Sequence, residues 1–296
     1  MPGKTVQRLY DIDPLVPLVE AGYLLLTPNF RLARRIKAEW DRRQAALGHE
    51  SWRPAPVHPL ESWLETSWRR ARRADAVPLR SLLDTTEARE IWLDVIARDR
   101  HQAGDYSLLQ PEAAADMAAL ARDNLLRWRV DTRLPEVQSA FRLDADCGTF
   151  LRWLQAFERR LEKDGFGTLA DCVTDLLQST QQPEQPRVAL LDFDELSPLY
   201  RACLEAHAGE IREISSPGEP RATEVVAFTD RAVELQAVAA WAAGLHRAEP
   251  GSTIGVVLVD MQGDQAPLEY QLRREFGCLG DDYNSLPVNF SAGISL

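Results

Sequence analysis

Lysine is almost missing from this chain: of 34 basic residues only Lys4, Lys37 and Lys163 are lysines, the rest being arginine. A nuclease of the Asp…[Asp/Glu]-x-Lys type sets a metal-holding carboxylate two residues before its lysine. The residues at those positions here are Pro2, Arg35 and Leu161, which excludes that chemistry. The four cysteines, at 147, 172, 203 and 278, include no Cys-x-x-Cys pair, so neither a zinc site nor a local disulfide is indicated. The five histidines lack His-x-x-x-His spacing, and no Gly-x-Ser-x-Gly elbow occurs. We therefore expect no catalytic residue, no metal and no cofactor. No apolar run approaches the roughly 18 residues of a membrane span. The start, Met1-Pro2-Gly3-Lys4-Thr5-Val6-Gln7, has no signal-peptide core. A cytoplasmic protein with no membrane partner is the expectation.

The net charge of −11 is unevenly spread: residues 1–100 carry 17 Lys+Arg against 14 Asp+Glu, the remainder 17 against 31. The basic part is where an acidic polymer would bind, and arginine's planar fork of donors suits phosphate. Two apolar strands stand out. Gly22-Tyr23-Leu24-Leu25-Leu26 runs into Thr27-Pro28-Asn29 and a basic helix containing Arg31, Arg34, Arg35 and Lys37. Val188-Ala189-Leu190-Leu191 runs into Asp192-Phe193-Asp194-Glu195. A buried strand ending in polar residues that open a helix is how parallel α/β sheets build ligand sites.

Between these strands the pattern is helical: 60–74, 86–98, 111–127, 147–163 and 168–177, separated by turns at Pro78, Gly104, Pro135 and Gly165. A Gln-rich linker, Ser179–Pro186, leads back to strands at 187–193, 211–214, 223–228 and 253–260, with helices at 199–208 and 232–246 between them. Alternating strands and helices predict an α/β fold: a parallel sheet carrying one large all-helical insertion. The densest basic run, Arg69-Arg70-Ala71-Arg72-Arg73, spreads around its helix. Trp63 and Trp92 have the spacing of core residues.

The segments LLLTPNFRLARRI, LESWLE, VALLDFDELSPLYRACLEA and AVAAWAAGLHRAEPGSTIGVVLVDM together resemble the N-terminal part of AddB-type DNA-repair helicase-nucleases. Those proteins are related to the UvrD/Rep helicases and carry a PD-(D/E)XK nuclease at the far C-terminus. The resemblance implies a P-loop helicase-like sheet in residues 1–59 and 181–222, a helical insertion in 60–180 and the beginning of a second α/β domain in 223–296. The remainder of that domain and the nuclease would lie beyond it. It also implies that Thr27 and Asn29 occupy a motif that touches single-stranded DNA, beside Arg31, Arg34 and Arg35. Asp192 takes the Walker B position, but the residue after it is Phe193, which cannot activate water. A P-loop needs a strand and a glycine-rich turn before its lysine, and Gly3-Lys4-Thr5 has neither. The expectation is an ATPase-dead DNA-binding portion, with a helicase or nuclease subunit as candidate partner. Two other readings stay open: a protein scaffold without DNA contact, and a nucleotide-dependent enzyme using Lys4 and Asp192.

Overall fold

The computed structural model describes residues 10–103, 110–179, 185–215, 223–282 and 285–290. The Gly3-Lys4-Thr5 triplet, the turn at Gly104, most of the Gln-rich linker and Gly293 lie outside them. The chain divides into two compact units, Met1–Gly218 and Glu219–Leu296.

A short 3-10 turn at Asp13–Leu15 leads into α1 (Val16–Glu20) and the first strand, β1 (Leu24–Thr27). Asn29 caps α2 (Phe30–Ala46), its side-chain oxygen accepting from the Leu32 amide at 2.9 Å. β2 (Val57–Pro59) and α3 (Leu60–Arg73) follow. The chain then makes β3 (Ser81–Leu82), α4 (Thr85–Ala103), α5 (Pro111–Arg127), α6 (Pro135–Phe141), α7 (Ala145–Asp164), β4 (Phe166–Gly167) and α8 (Leu169–Gln178). It returns through β5 (Arg187–Leu191), α9 (Pro198–His207) and β6 (Glu210–Ile214).

The sheet is four-stranded, parallel throughout, in the order β2-β1-β5-β6. Both faces are covered, as a parallel sheet requires. Side chains alternate along each strand. Leu26, Val188 and Leu190 pack with α3, α8 and α9, around Leu64, Val173 and Leu204. Leu25, Val57, Ala189 and Leu191 pack on the other side with Ala33 and Ile36 of α2 and with Ile12, Leu15 and Leu18. The α/β class and the parallel sheet predicted from the strand–helix alternation are thus present.

Among the described residues from α3 to α8 the only strands are the two-residue pair β3–β4, which joins Ser81 to Phe166 in parallel. Its own core is built on Trp92, stacked on Phe157 with ring centroids 4.0 Å apart, together with Val95, Leu151 and Leu154. α7 ends at Gly165, whose φ of +68° makes the left-handed turn a Cβ would oppose. Immediately afterwards the Asp171 carboxylate accepts from both the backbone N–H and the hydroxyl of Thr168, at 2.8 Å each. The same carboxylate takes two bonds from Arg122 of α5, at 2.7 and 3.0 Å. Arg122 is almost fully buried and lies over the Phe157 ring.

The second unit holds α10 (Arg231–Ala248) and α11 (Met261–Phe276), packed through Leu235, Ala239, Leu268 and Leu272. Asp230 and Asp260 cap them by accepting from the amides of Val233 and Gly263. The strands predicted at 223–228 and 253–260 do not form among the described residues. The patterning was right only in part. Ile254 and Leu258 turn toward the helices, whereas Val257 and Val259 are fully in solvent at 94% and 101% exposure. A strand exists only where a neighbour takes its backbone hydrogen bonds, and no described segment of this unit supplies one. Among its described residues this unit thus consists of two packed helices and irregular chain.

Burial alone would push the Asp171 carboxyl up. The Arg122 charge, with the hydrogen bonds from Arg122 and Thr168, outweighs it and holds the group below the usual carboxylate range. Its stabilising contribution is present above about pH 4, the unfolded carboxylate value, and is lost as pH falls through the lower folded value. Asp171→Asn removes the hydrogen-bonded counter-charge of the buried Arg122 and leaves it only the more distant Glu158 carboxylate, at 3.8 Å. We expect urea unfolding at neutral pH to show a loss of about 3–5 kcal/mol, and the variant to lose less stability than the parent below pH 4.

Candidate nucleic-acid interface

From β1 the chain moves outward to β2, and from β5 it moves the opposite way to β6. The C-terminal ends of these two neighbouring strands are therefore a topological switch point, where open parallel sheets leave a crevice for ligands. Thr27-Pro28-Asn29 leaves one strand there and Asp192-Phe193 leaves the other.

Thr27 has the same strand parity as Leu25 and is fully buried; its hydroxyl donates to the Asn29 carbonyl at 2.9 Å. It shapes the turn from within. Asn29 is exposed at the start of α2, where the helix dipole presents partial positive charge. Arg31, Arg34 and Arg35 stand exposed on the face of α2 opposite Ala33 and Ile36. Spacings of three and four residues put them side by side. Arg34 lies over the Phe30 ring at 5.7 Å, and Phe30 is itself 62% exposed.

Asp192 has a φ of +52°, a left-handed conformation that costs a non-glycine residue about 1–2 kcal/mol. It is held there from two sides. Its amide donates to the Ile214 carbonyl at 2.9 Å, and its carboxylate accepts from the Tyr10 hydroxyl at 3.0 Å. Phe193 lies against the other sheet face and lines a cavity of about 270 Å³.

Pro28 of the first turn lines that same cavity, and so do Glu61 at the start of α3, Arg127 and Trp128 at the end of α5, and Tyr200 of α9. Arg127 donates to Glu61 at 2.7 Å, pairs with Asp123 at 2.5 Å and lies over the Tyr200 ring at 4.8 Å. The Tyr200 hydroxyl also donates to Glu61, at 3.2 Å. Burial, then the Glu61 charge, pushes the Tyr200 hydroxyl well above its ordinary value, so it remains a donor. Burial likewise raises the Asp123 carboxyl against the pull of Arg127. The one cation in the cavity is thus matched by two carboxylates, and Glu195 adds a further negative charge. A phosphate finds no excess charge inside; with the Tyr200 ring covered by Arg127, the aromatic side chains of Phe193 and Trp128 suit a planar, uncharged group. The exposed arginines of α2, Arg31, Arg34 and Arg35, lie outside the cavity.

The structure thus brings Asn29, Arg31, Arg34 and Arg35 together on one side of the turn and sets Phe193 beside it. It turns Thr27 inward and engages Asp192 with Tyr10. Reading the sequence missed Glu61, Arg127, Trp128 and Tyr200. The signal that could have found them is Arg127-Trp128-Arg129, an aromatic between two cations. Among the described residues no group of three or more acidic, histidine or cysteine side chains could hold a metal ion, and no helix is long and apolar enough to cross a membrane. Comparison with protein-family models and with curated proteins gives no match.

Asparagine tolerates the left-handed region and can accept from Tyr10; alanine can do neither. Asp192→Ala should lower unfolding free energy by about 1–3 kcal/mol and Asp192→Asn by less than about 1 kcal/mol, read from denaturant midpoints.

Proposed function

We propose that this chain belongs to the class of α/β proteins that hold single-stranded nucleic acid at the crevice of a parallel sheet. More narrowly, it is the helicase-like, ATPase-dead, DNA-binding portion of a cytoplasmic DNA-repair helicase-nuclease of the AddB type. The observation that carries this reading is the convergence of two turns. The turn before the arginine face of α2 and the Asp192-Phe193 turn leave adjacent parallel strands at the switch point and share one aromatic-walled cavity. Phosphates would meet Asn29, Arg31, Arg34 and Arg35, and bases would meet the aromatic faces. The P-loop helicase type of sheet, with residues 60–180 as its insertion, follows from the same reading. Phe193 offers no group to activate water, and the Asp192 carboxylate is engaged by Tyr10, so a nucleotide-hydrolysing role gains no support from these residues.

A second reading, a scaffold that docks on a helicase or nuclease subunit without touching DNA, is favoured by the exposed Val225, Val257, Val259 and Trp241 of the second unit. Fluorescence anisotropy with a labelled single-stranded oligonucleotide separates the two. Binding should weaken steeply between about 50 and 200 mM salt. Changing Arg31, Arg34 and Arg35 together to alanine should reduce the slope of log affinity against log salt by about 2, at roughly 0.7 per phosphate lost. Absence of binding at low salt would overturn the DNA reading in favour of the scaffold.

A further inference from the structure

The helical segment contains a second cavity, of about 610 Å³, between α5, α6 and α7. Its walls are almost wholly apolar, with Met117, Phe141, Phe150 and Trp153 among them. Met117 is 72% exposed and Trp128, at its mouth, 53% exposed. Apolar surface of this kind left open to water marks a binding surface. Two residues, Asn124 and Trp128, line both this cavity and the one at the switch point. The two cavities thus share walls at the last turn of α5.

That turn is built to hold Trp128 still. The Trp128 amide donates to Asn124, the Arg129 amide to Leu126 and the Val130 amide to Leu125, at 2.9, 3.0 and 2.8 Å. This is the helix-ending pattern whose left-handed position is ordinarily glycine. Here Arg129 occupies it, at a φ of +56°. A cation is thus kept, against backbone preference, next to an exposed indole. The opposite rim carries Asp146 and Cys147. Negative charge there repels a phosphate, so a strand would enter at the arginine end with its backbone outside and a base inside.

The geometry points to Trp128 as the stacking platform for a nucleobase of a single-stranded nucleic acid, seated in the apolar cavity between α5, α6 and α7 while the backbone passes Arg129. This rests on the nucleic-acid reading above and extends the strand's path from the sheet into the helical segment. Asn124, exposed at the shared mouth, is the polar group available to a base edge there. Stacking on an indole requires only a π-face, so the seat accepts any base.

The test compares oligo-deoxythymidine with an abasic deoxyribose-phosphate oligomer of equal length, each titrated into the full chain and into Trp128→Ala and Trp128→Phe. Trp128→Ala should weaken oligo-deoxythymidine about five- to hundredfold without changing the affinity of the abasic oligomer or its salt slope. Trp128→Phe should restore most of the loss. A second readout is Cys147, the exposed cysteine among the described residues; Cys172, Cys203 and Cys278 are buried. Saturating oligo-deoxythymidine should slow alkylation of Cys147 in the parent chain and not in Trp128→Ala. Equal losses for both oligomers, or Cys147 labelling indifferent to bound oligomer, would overturn the base seat while leaving binding at α2 standing. No binding by the parent chain at low salt would overturn both. Protection of Cys147 by an apolar peptide alone would assign the cavity to a protein partner instead.

Discussion

Everything in the first unit depends on one pairing, that of β1 with β5. Leu24 lies opposite Val188, about 160 residues further along. Joining two points that far apart in a flexible chain costs about 4–5 kcal/mol of closure entropy, more than a few strand hydrogen bonds return. Contacts within the intervening segment can offset most of that cost by bringing its own ends together. α3 packs against α8, β3 pairs with β4, and Arg80 bonds Asp175 at 2.8 Å across the same closure. Once those contacts exist, the chain that leaves β2 and the chain that enters β5 are already neighbours. The sheet then needs only to be zipped, and its switch-point crevice comes into being with it.

Charge in this protein is divided between places where it is spent internally and places where it is left outward. Arg122 and Arg127 on α5 are committed to carboxylates: Arg122 to Asp171 across the α5–α8 contact, Arg127 to Glu61 and Asp123 at the cavity. Both also lie over aromatic rings, Phe157 and Tyr200, where a guanidinium is attracted to the π-face. On α2, Arg42 and Arg43 are likewise paired, with Glu39 and Asp13, whereas Arg31, Arg34 and Arg35 are exposed opposite the buried face of the helix. An acidic chain thus carries a locally basic helix next to a charge-balanced aromatic hollow. Net charge alone would have hidden that arrangement.

Much of the first unit was legible because its signals are local. Four apolar residues before Thr27 and again before Asp192 announce buried strands. What escaped was set by tertiary neighbours. Thr27 looked available because it follows the strand, yet strand alternation gives it the inward parity of Leu25. The two-residue strands β3 and β4 are too short to pattern, and α6 hides behind a proline that starts a helix rather than ending one. Trp128 was overlooked because a single aromatic at a helix end has no periodicity. Residues 223–228 and 253–260 misled in the opposite direction, since β-branched content reports a preference for pleated packing, not the presence of a partner strand.

The order of strands along the chain also has a consequence at the ribosome. Synthesis at roughly 5–20 residues per second leaves β1 waiting about 8–30 s for β5 to appear. During that interval Leu24, Leu25 and Leu26 have β2 on one edge and nothing on the other. An apolar parallel edge open for that long is a site of mispairing between nascent chains. The helices made in the meantime, α2 on one side and α3 on the other, cover the faces of the strand but cannot cover its edge. Yield of folded protein should therefore be governed less by final stability than by how closely neighbouring chains are spaced while β1 waits.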